Sequence, residues 1–299
     1  MKKLFVMLVA LMIMTACAAY GEETYSVECP SGAPALTVCA LKEKVQLVDA
    51  ATIGASFSNE KADFIIAPIN AGAKLFKAGK STYRLVAVVT WGNLVFASQV
   101  PDFTPESING RELILFGENT INASIALYVL QEKGIVPSSV TYLASAQDTQ
   151  KKAVEDPEAI VMTAEPAATA ARMTNEAVHV ISISSMYQEI TGDEGFAQAG
   201  LFIRAKTIDE NPDKIDSWIQ EIKASADRCN DNPEEVAKDA VEIGVMAKEA
   251  IVLKSIGNCG IHYVPAKEAR EQIEKTVAVD PAQFGGEVPS DDFYYGIEE

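Results

Sequence analysis

The stretch 62–93 constrains the fold more than any other part of this sequence. It holds two apolar runs of strand length, Asp63–Ala67 and Leu85–Val89, with a short helical pattern between them that ends at Gly79. Such runs are typical of strands buried on both faces of a parallel sheet. Asn70 is predicted to be the N-cap of the helix. Because the turns after parallel strands gather at one edge of an open α/β sheet, the stretch predicts a binding edge.

The rest of the chain continues this alternation of strands and helices. Two further strands, Tyr25–Cys29 and Val45–Val48, precede the stretch, and Ala33–Lys42 is predicted to be a helix capped by Ser31. A β-α-β-α-β-α-β pattern follows, which predicts a second parallel sheet wrapped by helices. Its four strands are Glu112–Phe116, Val140–Leu143, Ala159–Thr163 and Val178–Ile183.

Two short segments are predicted to carry the chain between these sheets. The apolar run Leu94–Ser98 ends at Val100-Pro101, where the composition changes and we place the first crossing. Gly200–Arg204 has the character of a return strand, and helical patterns dominate after it. The aromatic tail Pro281–Tyr295 is predicted to pack across the first sheet.

The charge of the chain excludes some classes of partner. The formal net charge is −17, and it becomes −19 once Lys2 and Lys3 are removed with a targeting segment. Nucleic acid and anionic lipid both require lysine and arginine at the contact surface, so neither is an expected partner. The acidity is also compatible with a simple role in solubility.

The N-terminus has the features of an export signal. Lys2 and Lys3 precede the apolar run Leu4–Ile13, which is too short to span a bilayer. Met14-Thr15-Ala16-Cys17 is similar to a lipobox, in which Cys17 carries the lipid. We therefore predict a signal peptide at 1–16 and a tether at 17–24, with ordinary secretory cleavage as the alternative. No later segment has the length of a membrane helix.

Export would expose the cysteines to an oxidising compartment. Cys29 and Cys39 are separated by too great a distance for a bridge if a helix follows the first strand, so both are predicted to be buried thiols. Cys229 and Cys259 end neighbouring helical segments, where either a disulfide or two free thiols would fit. The cysteine and histidine spacing indicates no metal site, and no cofactor is expected.

The sequence contains no pattern typical of catalysis. It lacks a nucleophile elbow, a phosphate-binding glycine loop and a dinucleotide fingerprint. His179 lies in an apolar strand and His262 within 260–264, so both are interpreted as structural. Trp218 fits the core face of a helix.

The ends of the predicted strands hold the best candidates for ligand contacts. Trp91 could stack on a flat ligand, or it could belong to the core. Glu165 could accept hydrogen bonds from a ligand, or it could favour the helix N-terminus beside it. No loop end contains arginine or lysine, which favours a neutral or cationic heterocycle or amine. The other candidates are Ser31, Gly32, Ala33, Asn70, Ala71, Thr90, Gly92, Asn93, Gly117, Asn119 and Thr120.

Several motifs resemble the solute-binding components of ABC transporters. They are SGAP at Ser31–Pro34, APINAGAKL at Ala67–Leu75, TWGN at Thr90–Asn93 and NPEEVAK at Asn232–Lys238. The resemblance extends over nearly the whole chain after the signal and is greatest to the group that binds nitrate, sulfonate, taurine and thiamine-pyrimidine precursors.

The resemblance implies a two-lobed periplasmic-binding-protein fold of type II, with two crossing strands as a hinge and the ligand in the cleft between lobes. Lobe 1 would comprise 25–99 and 200–299, and lobe 2 would comprise 100–199. The implied function is extracytoplasmic capture of a small molecule by a lipid-anchored monomer, on the outer face of the cytoplasmic membrane or in the periplasm. The protein would deliver this molecule to an ABC permease. Pyrimidine-synthase enzymes share the fold, so an exported enzyme is one alternative, and a ligand sensor for a membrane receptor is another.

Overall fold

The computed structural model describes residues 24–296. The predicted signal peptide, Cys17 and the tether up to residue 23 lie outside the described residues. Within the described range, strands and helices alternate as the sequence predicts. The strands are β1 (Val27–Pro30), β2 (Val45–Val48), β3 (Phe64–Pro68), β4 (Tyr83–Thr90), β5 (Leu94–Ser98), β6 (Glu112–Phe116), β7 (Ser139–Leu143), β8 (Ile160–Ala164), β9 (His179–Ser182), β10 (Ala199–Arg204) and β11 (Ile261–Pro265).

The helices follow most strands and cover both faces of each sheet. They are α1 (Ala33–Leu36), α2 (Ile53–Asn59), α3 (Ile69–Lys77), α4 (Ile121–Glu132), α5 (Ala146–Glu155), α6 (Ala167–Thr174), α7 (Ile183–Thr191), α8 (Ala205–Glu210), α9 (Ile215–Asp231), α10 (Pro233–Glu242), α11 (Glu249–Ser255) and α12 (Arg270–Val279). None of the helices in residues 24–296 is long and apolar enough to cross a membrane.

The first sheet has the strand order β11-β4-β10-β3-β1-β2. Strands β1 to β4 run parallel to one another, while β10 and β11 run antiparallel to them. Ala199, the first residue of β10, pairs with both Pro68 and Thr90, the last residues of β3 and β4. One edge of this sheet therefore carries the turns that follow four parallel strands and the start of the returning strand.

The second sheet has the order β7-β6-β8-β5-β9 and is not purely parallel, because β5 runs antiparallel to both of its neighbours. Leu94 pairs with Ala164 at the end of β8, and Val95 pairs with Ser182 at the end of β9. The chain consequently passes between the sheets at 91–93, earlier than the predicted crossing at Val100-Pro101. Strand pairing decides this point, since an apolar run does not reveal which sheet it joins.

One apolar core runs beneath both sheets, while the opposite face of each sheet has a core of its own. The shared core contains side chains from α2, α3 and α12 on the first sheet and from α4 and α7 on the second. It also holds Phe293 and Tyr294, which are fully buried, and Tyr295 N donates to Leu85 O. The prediction that the aromatic tail packs across the first sheet is confirmed.

Local structure departs from prediction at four places. Pro68, not Asn70, is the N-cap of α3, and Asn70 lies inside the helix without a capping bond. Gly32, with φ of 113°, precedes α1 in place of Ser31. The predicted helix 33–42 ends as an α-helix at Leu36 and continues as a 3₁₀ turn. Strand β11 falls in a region interpreted as helical.

All four described cysteines are buried free thiols. Cys29 and Cys39 are therefore as predicted. The possible bridge between Cys229 and Cys259 is not formed: the Cys229 thiol donates to Leu36 O at 3.3 Å, whereas the Cys259 thiol donates to Ser255 O at 3.4 Å. Burial raises the pKa of each thiol, which keeps the neutral form.

Candidate ligand-binding site

The carboxyl ends of the parallel strands of one sheet face those of the other across the two chain crossings. Beside the crossings lies a groove of about 1010 Å³, bordered by β9 on one side and β11 on the other. This volume is at the upper end of the range usual for small-molecule sites. Both lobes contribute to its walls. The residues of the predicted site that line it are Trp91, Gly92, Asn93 and Glu165.

Glycines make the crossing at 91–93 tightly packed. A Cβ atom on Gly195 would lie 2.1 Å from Trp91 O, and one on Gly260 would lie 2.7 Å from Gly92 O. Gly92 itself has φ of 87°, and a Cβ there would meet the Ser184 hydroxyl at 2.5 Å. Only glycine lets the neighbouring backbones approach this closely. The floor of the groove is therefore a fixed backbone turn.

Trp91 is held on this turn by bonds to β11 and the residue before it. Its backbone N–H donates to Gly260 O at 2.8 Å, and its indole Nε1–H donates to His262 O at 2.8 Å. The side chain is half-buried, packs against the shared core and also borders the groove. The interpretation of Trp91 as a core residue therefore applies in part, and because the residue also borders the groove, stacking on a ligand stays a prediction.

Asn93 and Glu165 form a second fixed pair in the groove. Glu165 N–H donates to Asn93 O at 2.9 Å, and Asn93 Nδ2–H donates back to Glu165 O at 2.9 Å. Asn93 Oδ1 is buried and has no hydrogen-bond partner in the described structure. Such an orphaned acceptor costs about 1–3 kcal/mol, which a bound donor would recover. Asn93 lies in the first crossing, and Glu165 directly follows β8.

Glu165 is a buried carboxyl group, only 4% exposed. Its Oε2 accepts from Thr169 N at 3.0 Å, so it does favour the start of α6, one of the two roles predicted for it. Burial raises the pKa of Glu165, and the bonds from Thr169 and the charge of Arg172 oppose that rise. It remains accessible from the groove, so the helix role and a ligand role are compatible.

Carboxylates outnumber cations along the groove. Glu165, Asp193, Glu194 and Glu268 line it, against the single arginine Arg172. Asp193 Oδ1 accepts from Lys275 Nζ at 2.9 Å, while Asp193 Oδ2 is buried and has no partner among residues 24–296. This balance disfavours anions and favours molecules that are cationic or rich in hydrogen-bond donors.

The remaining predicted site residues do not line this groove. Ser31 and Asn119 are exposed, and Gly32, Ala71, Gly117 and Thr120 are half-buried. Ala33 is buried in α1, and the Thr90 hydroxyl accepts from Ala199 N inside the first sheet. The Thr120 hydroxyl donates locally to Gly117 O. Among residues 24–296, no hydrogen bond joins them to Trp91 or Glu165, although Thr90 directly precedes Trp91 in the chain.

Asn122 and Gln198 form a separate amide cluster at the second crossing, and Asn70 follows Ile69, whose backbone N–H is bonded to Gln198. Gln198 Nε2–H donates to Asn122 Oδ1 at 3.1 Å, and Gln198 O accepts from Ile69 N at 3.0 Å. Asn70 and Gln198 are each 8% exposed, and each has a buried carbonyl oxygen without a partner in the described structure. This cluster links the starts of α3 and α4 but does not border the groove.

Sequence reasoning missed most of the wall contributed by the C-terminal third. The run Ile261-His262-Tyr263-Val264, rich in β-branched and aromatic residues between Gly260 and Pro265, is a strand signal that could have revealed β11. His179 and His262 were interpreted as structural rather than catalytic; both are exposed, and His262 lines the groove. Further wall residues from unpredicted positions are Ser182, Ser184, Asn230, Asn258 and Gln272. Within residues 24–296 no cluster of three potential ligands could hold a metal ion.

Solved structures with the same fold are binding components of ABC transporters. An ABC transporter protein from Parabacteroides distasonis has a TM-score of 0.80 and 19% identity, over 93% of this chain and 100% of its own. The periplasmic aliphatic sulphonate binding protein SsuA from Escherichia coli has a TM-score of 0.70 and 12% identity, over 93% and 94%.

A third similar structure is the ligand-binding component of an ABC-type import system from Staphylococcus aureus with zinc bound. It has a TM-score of 0.70 and 12% identity, and the alignment covers 90% of this chain and 95% of its own. No family model and no curated protein matches the sequence. At these identities the similarity establishes the fold: a two-lobed α/β structure of the kind used by ABC-transporter binding proteins.

Proposed function

We propose that this protein is the extracytoplasmic solute-binding component of an ABC importer. It captures a small molecule between its lobes, closes around it and delivers it to a membrane permease, acting as a monomer. The observation that carries the proposal is the groove at the chain crossings, because its walls come from both lobes and it contains buried polar groups without partners. A ligand in this position couples its own binding to the angle between the lobes.

The charge balance of the groove supports a neutral or cationic ligand, such as a nitrogen heterocycle or an amine. Four carboxylates and one arginine line it, and Trp91 offers a flat aromatic surface beside them. The structurally similar SsuA protein is named for sulphonates, whose negative charge would be repelled by Glu165 and Asp193 here. We therefore infer that this chain and SsuA bind different classes of solute on one fold.

The proposal is tested by identifying what the protein carries. The chain purified without refolding is denatured, the released small molecules are identified by mass spectrometry, and the identified solute is titrated back by calorimetry. We expect one solute, released chemically unchanged, that rebinds with a stoichiometry of one. Purified protein that releases no solute and binds none from a panel of amines, heterocycles, sulfonates and nitrate would contradict the proposal.

An exported enzyme that uses the same groove is the alternative from another class. The same titration distinguishes the two, since an enzyme converts its solute during prolonged incubation, whereas a binding component returns it intact. A ligand sensor for a membrane receptor would bind in the same way and differ in its partner. Crosslinking to a permease rather than to a receptor in intact membranes separates these two readings.

Lipid attachment at Cys17 is part of the proposal and follows from the lipobox pattern at Met14–Cys17. The wild-type protein should then fractionate with membranes, on the outer face of the cytoplasmic membrane or in the periplasm. Cys17→Ser should yield an unprocessed or soluble product. Equal recovery of both forms in the soluble fraction would rule out the anchor while leaving ligand capture intact.

A further inference from the structure

Asn93 is held in one orientation with its acceptor directed away from the protein's own donors. Its Nδ2–H is bound to Glu165 O at 2.9 Å, so the amide cannot turn without breaking that bond. Oδ1 is left buried and unpartnered in the described structure, although the side chain is only 7% exposed. Asn93 lines the groove, so this fixed and buried acceptor is an unfilled half of a hydrogen bond at the wall of the groove.

Glu165 presents a second acceptor next to the first. Thr169 provides the hydrogen bonds that the described residues make to its carboxyl group. A carboxylate can accept about four hydrogen bonds, so Glu165, which lines the groove, keeps unused acceptor capacity. The reciprocal bonds between Asn93 and Glu165, both of 2.9 Å, hold the two residues side by side. The pair thus offers two acceptors and no free side-chain donor.

Resting on the proposed function, we infer that Asn93 and Glu165 select solutes with a planar group that carries two adjacent N–H donors, of the amidinium or guanidinium type. One donor satisfies Asn93 Oδ1 and the other binds the Glu165 carboxylate. Trp91, two residues before Asn93 and bordering the same groove, provides a flat surface for the delocalised group. Asn93 is the residue that determines specificity.

Two other donor and charge patterns fit this pair less well. A primary ammonium is a compact, strongly hydrated charge, which is costly to bury and has no planar face for Trp91. A carboxylate or sulfonate would place acceptors against acceptors and leave Asn93 Oδ1 unsatisfied, which adds repulsion to the cost of burial. A forked planar donor meets both acceptors and is less strongly hydrated.

Three probes with the same ring test this inference: benzamidine, benzylamine and benzoate, each titrated by calorimetry into the full processed chain freed of bound solute. We expect benzamidine to bind at least about tenfold more tightly than benzylamine, and benzoate not to bind. Asn93→Ala and Glu165→Gln should each remove most of the preference for benzamidine over benzylamine. Circular dichroism melts establish that the variants are folded before they are titrated.

Glu176→Gln is the matched control, because it removes one negative charge from an exposed side chain that lies between α6 and β9 and does not line the groove. It should keep the preference for benzamidine, whereas selection by overall charge would make it resemble Glu165→Gln. Benzylamine or benzoate binding as tightly as benzamidine to the wild type overturns the inference, as does a lack of binding to all three probes. If a co-purified solute still rebinds in those cases, the proposed function stands without this specificity.

Discussion

The predicted site residues divide into two groups that the structure treats differently. The hinge group, Trp91, Gly92, Asn93 and Glu165, lines one groove between the lobes. The outer group ends or follows strands of the same two sheets but lies outside the groove; it comprises Ser31, Gly32, Ala33, Asn70, Ala71, Thr90, Gly117, Asn119 and Thr120. Residues of both groups end parallel strands or begin the helices after them. A place at the binding edge of a sheet is therefore not enough to place a residue in the site.

What separates the groups is bonding across the crossing. The hinge group is joined by backbone and amide hydrogen bonds to the opposite lobe or to β11, as with the reciprocal bonds of Asn93 and Glu165. In the outer group the Thr120 hydroxyl bonds locally to Gly117 O, and Ser31 and Asn119 are exposed. Residues fixed from both sides keep their geometry, which a selective site requires.

The largest expected effect comes from adding a side chain at a glycine where the backbone of the hinge group is tightly packed. Gly195→Ala would place a Cβ 2.1 Å from Trp91 O, a backbone atom that cannot move freely. We expect a loss of about 3 kcal/mol in unfolding free energy, measured by urea denaturation. Gly257→Ala is the control, since it lines the same groove with nothing within 4 Å of its Cβ position. Equal stability of the two variants would contradict the tight crossing.

Trp91→Ala should produce the next largest effect, on affinity. Loss of a stacked, desolvated aromatic group costs about 2 kcal/mol, or about thirtyfold in the dissociation constant of the co-purified solute. Asn119→Ala, a change in the outer group, should leave the constant within about twofold. Calorimetry on both variants compares the groups directly. A greater loss of affinity from Asn119→Ala than from Trp91→Ala would indicate that the ligand binds at the outer group.

Glu165→Gln should change how stability depends on pH. Burial raises the pKa of Glu165 in the folded state, against the opposing bonds of Thr169 and charge of Arg172, with the Cys259 thiol also nearby. The folded protein therefore loses stability as pH rises from the ordinary glutamate range through the raised value, where ionisation becomes costly. A glutamine side chain can still accept the hydrogen bond from Thr169 N, and because it does not ionise it avoids this loss of stability.

The variant should consequently gain stability over the wild type from acid to neutral pH, and the gain should vanish below the ordinary pKa of a glutamate. Thermal melts of the wild type and Glu165→Gln between pH 3 and pH 8 measure this. Glu268→Gln, at the exposed end of the same groove, is the matched control. A Glu165→Gln gain that shrinks toward neutral pH would mean that the carboxylate is stabilised by its surroundings instead.

Ser31→Ala should have the smallest effect. The side chain is exposed and makes no capping bond to α1. Both the unfolding free energy and the affinity should remain within about 0.5 kcal/mol of the wild type. A tenfold loss of affinity would show that the outer group closes onto the ligand and would remove the distinction between the groups.

The sequence alone determined the alternation of strands and helices, the buried character of β3, β4 and β6, and the polar turn that carries Trp91 and Asn93. These features depend on periodicity and on turn residues, which are local properties of the chain. The same reasoning found Glu165 at the end of β8, and it indicated a second parallel sheet but not the antiparallel strand β5 within it.

Only the tertiary structure decided which turns meet. In the sequence β5 is an apolar run that could join either sheet. Its pairing with β8 and β9 places the crossing at 91–93. The bond from Trp91 to β11, the bond that Asn93 Nδ2–H donates to Glu165 O and the glycine contacts at Trp91 all join residues more than sixty positions apart in the chain. Contacts of this kind depend on how two lobes approach each other, and no local pattern of residues encodes that distance.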